Sequence, residues 1–172
     1  MQTFFLISVL NLPSEVCYIP SEMKRAIFPG TFDPFTIGHY SIVMRGLQLF
    51  DEIVIGIGVN QTKKTLFDVE KRIEIIQQAF QNVPGVTVQT YDSLTVDFAE
   101  SVDAKYLLRG LRTISDFEYE HTIANANRQL SGLETVILFT EAEYSFISST
   151  VVRDLIAYGR DITKFLPPGV II

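Results

Sequence analysis

The sequence predicts an α/β fold in which five parallel strands form one sheet with helices on both faces. Short apolar runs of strand length alternate with amphipathic stretches along the chain, and this alternation is typical of βαβ units. The run at 52–59 is apolar after its first residue and contains two glycines, which predicts a strand buried on both faces. The predicted sheet is therefore open, doubly wound and Rossmann-like.

The first two predicted strands each lead into a helix, and local sequence signals define both helices. The first helix is expected to begin at His39, because apolar residues recur at helical spacing as far as Phe50. Asp68 is a good N-cap for a second helix that extends to about Gln81. The predicted strands lie at 26–28, 52–59, 86–91, 105–108 and 134–140.

Three further helices follow the last strands. A short helix is expected over 95–102, where apolar residues recur on one side. Residues 115–118 have the form of a capping box, which predicts the start of a long helix that ends near Leu130. The polar run 148–150 is expected to cap a last helix that reaches about Tyr158. A glycine follows each of the last two helices and is expected to end it.

The overall composition restricts the class of protein. A chain of 172 residues with 47% hydrophobic residues can fold as one domain with its own core. No apolar run is long enough to span a bilayer. The net charge of −6 disfavours a general nucleic-acid binder. The single cysteine, Cys17, excludes an internal disulfide and suits the cytoplasm.

Residues 1–22 form an N-terminal extension before the predicted domain, which spans 23–172. The extension begins with an apolar run but has no basic start and no small-residue cleavage site, which argues against a secretion signal. We interpret Met23 as the natural start and 1–22 as a gene-start artefact.

The chemistry-bearing residues follow the predicted strands. In an open parallel sheet, ligands bind at the carboxyl ends of the strands near the switch in strand order. Taken singly, a histidine at a helix start is more often a cap than a catalyst, arginines often pair with surface carboxylates, and 148–150 could be only a cap. Lys64 is interpreted as a solubilising charge. The residues expected at the common edge lie at 30–39, 63, 92–95, 109–112 and 144–153.

Several motifs resemble one family of enzymes. Residues 36–39 read Thr-Ile-Gly-His and have the T/H-x-G-H form of the nucleotidyltransferase superfamily. Together with the other motifs, they resemble the bacterial phosphopantetheine adenylyltransferases, which make dephospho-coenzyme A from ATP and 4′-phosphopantetheine. The resemblance covers about residues 23–168. The other motifs lie at 29–34, 63–64, 108–112, 116–120 and 144–150.

The resemblance implies a role for particular residues of this chain. His39, Lys63 and Arg112 would be catalytic, and Thr31, Lys63, Thr95 and Arg109 would hold the pantetheine substrate. The ATP site implied by the resemblance comprises Thr31, Phe32, His39, Gly110, Leu111, Arg112, Glu120, Tyr144, Ser145, Phe146, Ile147, Ser148, Ser149 and Thr150. The resemblance also implies a homohexamer that coenzyme A inhibits by feedback.

The expected mechanism is direct in-line attack without a strong general base. The attacking phosphate monoester is already anionic at pH 7, since its second pKa is about 6. The enzyme must therefore bring two anions together and neutralise the charge that develops on phosphate oxygens. Mg²⁺ is the expected cofactor and would bridge ATP oxygens mainly through water.

Two other functions fit parts of the sequence. The first is another nucleotidyltransferase of the same fold, such as a nicotinamide mononucleotide adenylyltransferase, although the motifs at 109–112 and 116–120 favour the pantetheine enzyme. The second is a non-catalytic binder of nucleotide or coenzyme A, which the presence of His39 and Lys63 disfavours. Neither nucleic acid nor membrane is an expected partner.

Overall fold

The structure is a computed structural model that describes residues 23–60, 62 and 64–172. Its five strands form one sheet in the order β3-β2-β1-β4-β5, and every neighbouring pair is parallel. This confirms the predicted doubly wound parallel sheet. The extension 1–22 and Lys63 lie outside the described residues. The strands are β1 (Arg25–Gly30), β2 (Glu52–Gly58), β3 (Val86–Tyr91), β4 (Tyr106–Leu111) and β5 (Glu134–Phe139).

Helices cover both faces of the sheet. Alternate strand residues belong to two apolar clusters: Ala26 packs with buried residues of the first two helices, whereas Ile27 packs with the third. In the described part of the chain, no helix has both the length and the apolar character needed to cross a bilayer. The helices are α1 (Ile37–Gly46), α2 (Val69–Phe80), α3 (Thr95–Ser101), α4 (Ile114–Ser131) and α5 (Ser149–Ala157), with short 3-10 turns at Ala142–Tyr144 and Thr163–Phe165.

Two predicted boundaries in the fourth βα unit are wrong. Strand β4 continues to Leu111, so Arg109 lies in the strand and not in the loop after it. The capping box that opens α4 is Thr113 with Asp116, not the pair at 115 and 118. The sequence offers both pairs at the same spacing. The longer strand selects the earlier pair, because the chain turns into the helix immediately after β4.

The first helix also differs from its predicted bounds. It begins at Ile37, which places His39 in the first turn, and it ends at Gly46. Phe50 is buried as expected but lies beyond the helix. A carbon added as Cβ at Gly46 would lie 2.6 Å from Leu108 Cδ2, so the helix packs close to the sheet at this position.

The sheet opens where its strand order reverses. β1 pairs with β2 along its full length, but it pairs with β4 only at Ala26–Tyr106 and Ile27–Leu107. The carboxyl halves of β1 and β4 therefore separate. Ligands of doubly wound sheets bind in such a crevice, and the candidate site lies there.

Candidate functional site

The loop after β1 is held in shape by aromatic packing. A Cβ at Gly30 would lie 2.7 Å from Phe32 Cζ, so glycine is needed for the ring to approach the backbone. Phe32 itself has a positive φ of 49°. Its ring lies 5.2 Å from the rings of Phe35 and His39. This packing places the loop backbone beside the histidine.

His39 takes part in the cap of α1. The Thr36 side chain accepts a hydrogen bond from the His39 backbone N–H, and the Thr36 backbone N–H donates to His39 Nδ1 at 3.0 Å. This is a capping box in which histidine takes the place usually held by glutamate or glutamine. Because Nδ1 accepts a hydrogen bond, the proton of a neutral His39 ring is on Nε2.

The surroundings of His39 keep its ring neutral. Burial, together with the weaker effects of the positive charges of Arg112 and Arg109, lowers the pKa of His39 to about 3. No acidic residue lies in the first turn of α1. The helix N-terminus, the Nε2–H donor and the two arginines thus present positive electrostatic potential to the crevice, which suits an anion.

Arg109 spans the gap between the two separated strands. Its Nη1 donates to the Pro29 carbonyl of β1 at 2.8 Å. Its Nε donates to Glu120 Oε2 at 2.8 Å, and its Nη2 donates to the other carboxylate oxygen. Glu120 is buried on α4, so this bidentate pair joins β1, β4 and α4 across the crevice.

Arg112 is the more exposed of the two arginines. Its Nε lies 3.4 Å from Asp116 Oδ2, and 40% of its side chain remains accessible. Partial burial raises the pKa of Asp116, but hydrogen bonds from the backbone N–H groups of Arg112 and Thr113 and the Arg112 charge outweigh it, so the pKa lies below its ordinary value. The guanidinium therefore stays oriented by a carboxylate while it faces solvent.

The start of α5 lies against the first loop. Ser148 is the N-cap, and its side chain accepts the Val151 N–H. Ser149 Oγ donates to the Pro34 carbonyl at 2.9 Å, and Arg153 Nη1 donates to the Asp33 carbonyl at 2.7 Å. The N-termini of α1 and α5 thus both lie beside the crevice between β1 and β4.

Two cavities meet at the switch point. The first has a volume of about 370 Å³ and lies between the first loop, β4 and the start of α5. The second has a volume of about 680 Å³ and lies beside the loop before α3. The residues that line both cavities are Pro29, Gly30, Thr31, Arg109 and Glu120.

Most of the residues predicted to form the site line these cavities. Thr95 lines the second cavity, together with Thr31 and Arg109. Leu111 is buried and lines neither cavity, and Tyr144 to Phe146 also lie outside both. The predicted residues that line the first cavity are Thr31, Phe32, His39, Arg109, Gly110, Arg112, Glu120, Ile147, Ser148, Ser149 and Thr150.

Two residues in or next to the site were not predicted from the sequence. Lys64, interpreted as a solubilising charge, lines the first cavity. Arg72 is buried and donates from Nη1 to the Thr31 carbonyl at 2.9 Å. The spacing of Arg72 from Ile75 and Ile76 on an otherwise apolar helix face was a signal that this arginine is buried.

The described residues contain no group of three or more His, Cys, Asp or Glu side chains placed to hold a metal ion. The acidic side chains at the first cavity also have cationic or N–H partners: Glu120 pairs with Arg109, and Asp116 with Arg112. This donor set suits a divalent cation held mainly by ligand oxygens and water, not by a protein cage.

Comparison with known proteins agrees with the fold and the motifs. The cytidylyltransferase-like family model matches residues 27–155. A phosphopantetheine adenylyltransferase from Phocaeicola vulgatus is 59% identical over 147 residues, which are 86% of this chain and 97% of that one. The same enzyme of Bacteroides fragilis is 57% identical over 147 residues, 86% of this chain and 98% of that one.

Solved structures share the fold at much lower identity. The crystal structure of a bifunctional NMN adenylyltransferase/ADP ribose pyrophosphatase from Francisella tularensis superposes with a TM-score of 0.66 at 14% identity. The match covers 84% of this chain and 45% of that chain. At this identity the likeness concerns the fold alone.

The family match extends over the whole switch-point site, and it makes this chain a nucleotidyltransferase. The similarity to the curated relatives points to one activity within this class, and it covers nearly their whole length. The chain belongs to the phosphopantetheine adenylyltransferase family.

Proposed function

We propose that the protein transfers AMP from ATP to 4′-phosphopantetheine, which gives dephospho-coenzyme A and pyrophosphate. The observation that carries this proposal is that two cavities meet at Thr31 and Arg109. A nucleotide in the first cavity and an acceptor in the second would bring their phosphates together at these residues. The relatives at 57–59% identity bear the name of this activity.

The reaction needs positioning and charge neutralisation. An anionic phosphate oxygen of the acceptor forms a bond to the α-phosphorus of ATP, and the bond to the bridging oxygen breaks to release pyrophosphate. No proton need be removed from the nucleophile at pH 7, since its second pKa is about 6. The protein contributes by holding the two anions in line and stabilising the charge on the phosphate oxygens.

His39 supplies a neutral donor for this charge. With Nδ1 accepting the Thr36 N–H, the Nε2–H can donate to a phosphate oxygen without the ring first gaining a proton. Arg112 would contact ATP phosphates, and Lys63, outside the described residues, would contact nucleophile and α-phosphate. We propose that Thr31, Thr95 and Arg109 hold the acceptor. Arg109 already has Glu120 and Pro29 as partners, so we assign it to a fixed wall between the two substrates.

The proposed ATP site uses backbone as well as side chains. Gly110 and Leu111 lie in β4 at the edge of the crevice, where Leu111 can contribute only from its backbone because its side chain is buried. The segment 144–150 ends at the start of α5, whose N-terminal N–H groups suit phosphate. The remaining proposed ATP contacts are Thr31, Phe32, His39, Arg112 and Glu120.

Mg²⁺ is the proposed cofactor. It would be held by phosphate oxygens of ATP and by water, in keeping with the carboxylates near the cavity having other partners. When bound, it would neutralise phosphate charge. We assign no direct protein ligand to it.

We also propose a cytoplasmic homohexamer that coenzyme A inhibits by feedback. Apolar side chains remain exposed on the described chain, among them Ile114 at 82% and Phe139 at 73%. Exposed apolar surface of this kind supports association between subunits. Coenzyme A contains the pantetheine chain of the acceptor, which supports competition for the second cavity.

One assay tests the proposed function. Purified protein with ATP and Mg²⁺ should release pyrophosphate when 4′-phosphopantetheine is added, and should do so much more slowly with nicotinamide mononucleotide. Faster release with the mononucleotide would favour the alternative nucleotidyltransferase. Binding of ATP without release of pyrophosphate from it in the presence of either acceptor would indicate a non-catalytic binder.

A further inference from the structure

Asp33 is buried, and its carboxylate has two backbone partners from a distant part of the chain. It is 3% exposed. Its Oδ2 accepts the Leu66 N–H at 2.8 Å, and its Oδ1 accepts the Phe67 N–H at 2.9 Å. Both oxygens are thus engaged by residues that follow β2. Asp33 joins the loop after β1 to the loop after β2.

The segment on the other side of this contact lies at the surface, with exposed and half-buried residues in alternation. We term residues 64–67 the lysine segment. Lys64 is exposed and lines the first cavity, and Leu66 is 49% exposed. Exposed loop residues are the most mobile part of a fold unless polar contacts hold them. The two hydrogen bonds to a buried carboxylate are therefore well placed to fix this backbone.

Asp33 also connects to the start of α5. Arg153 Nη1 donates to the Asp33 carbonyl at 2.7 Å and lies 3.8 Å from Asp33 Oδ2. The cationic group offsets part of the cost of burying the carboxylate. One residue thus holds together the first loop, the lysine segment and α5, which all border the first cavity.

We propose that Asp33 is a positioning residue that sets the place of the lysine segment relative to the first loop. It acts through the backbone N–H groups of Leu66 and Phe67, which occupy both of its carboxylate oxygens. This role rests on the proposed function, because cations carried near this segment would have to meet phosphate charge in the transition state. Misplacement of such groups by about 1 Å can cost on the order of a hundredfold in rate.

The variant Asp33→Asn tests the role with little change in volume. One carboxylate oxygen becomes an NH₂ group, which must face either the Leu66 or the Phe67 N–H, donor against donor. We expect kcat to fall by roughly tenfold to a hundredfold, with a KM for ATP within a few-fold of the parent. Asp68→Asn is the matched control: it keeps an N-cap on α2 and should leave both constants near parental values.

Two further measurements separate positioning from general damage. Asp33→Asn should speed amide hydrogen exchange at Leu66 and Phe67 more than at core strand amides. In a protein with Lys63→Ala and Lys64→Ala, adding Asp33→Asn should reduce kcat by less than threefold, because the groups that it positions are gone. If the variant does not fold, Leu66→Pro removes the donor to Oδ2 from an exposed position and should show the same loss of kcat.

The outcomes are distinct. Parental kcat in Asp33→Asn, or an equal loss with and without the two lysines, would overturn the positioning role. Unchanged exchange at Leu66 and Phe67 would also overturn it. If instead exchange accelerates but no acceptor supports pyrophosphate release even in the parent, the hydrogen-bonded link stands and it is the proposed function that fails.

Discussion

The imidazole Nδ1 of His39 accepts a hydrogen bond from the backbone N–H of Thr36 at 3.0 Å. The same two residues form the capping box of α1. The T-x-G-H spacing therefore has a structural reason as well as a chemical one: the bond that starts the helix also selects the tautomer with the proton on Nε2. His39 reaches the cavity as an oriented, neutral donor.

The first prediction concerns this donor. His39→Ala should bind ATP within a few-fold of the parent but lose on the order of 10²–10³ in kcat, as expected when one preorganised transition-state donor is removed. Steady-state turnover and calorimetric ATP titration measure the two effects. His121→Ala, which changes the other histidine of the chain, is the control. Turnover near the parental value in His39→Ala would show that the donor has no catalytic role.

The second prediction concerns the protonation of His39. Because the folded pKa is about 3, ¹⁵N NMR of the free protein should show the Nε2–H tautomer without titration between pH 5 and 8. A folded pKa below the unfolded value of about 6.5 means that the unfolded chain binds the proton first. The parent should therefore lose stability relative to His39→Gln as the pH falls from about 6.5 towards 3. Titration near pH 6.5 would contradict the assigned environment.

The third prediction distinguishes the two arginines. Arg109→Ala should weaken 4′-phosphopantetheine binding more than ATP binding, and Arg112→Ala should do the reverse. Arg109→Ala should also lower the melting temperature more, because it leaves the buried Glu120 carboxylate without its partner. Calorimetry with each ligand and thermal melts test both parts. Equal losses of both ligands in both variants would mean that the arginines act as one general anion patch.

The fourth prediction concerns Gly30. In Gly30→Ala the new methyl group would lie 2.7 Å from Phe32 Cζ, so the buried ring must move. We expect a loss of about 1–3 kcal/mol in the free energy of unfolding and weaker ATP binding. Gly58→Ala is the stability control, since its added carbon would meet Tyr91 at an ordinary 3.6 Å. Urea denaturation compares them, and equal stabilities would show that the first loop accommodates the methyl group.

The sequence by itself determined the fold class and the edge at which the site lies. Apolar runs alternating with helical periodicity are sufficient for a parallel sheet, because their burial on two faces leaves few other arrangements. In such a sheet the loops that follow the strands lie at one edge, where ligands bind, so the site can be located without knowing any side-chain contact. His39 could be located for the same reason, because it stands where the first predicted strand and its loop lead into a helical pattern.

Only the tertiary structure decided how the site is braced. The end of β4, the choice between two capping boxes, and the contacts of Asp33, Arg72 and Arg109 depend on groups far apart in the chain. Periodicity reports which face of an element is apolar but not which carbonyl or N–H from another element will lie opposite a given side chain. Those partners exist only after the strands separate at the switch point and the loops fold over it.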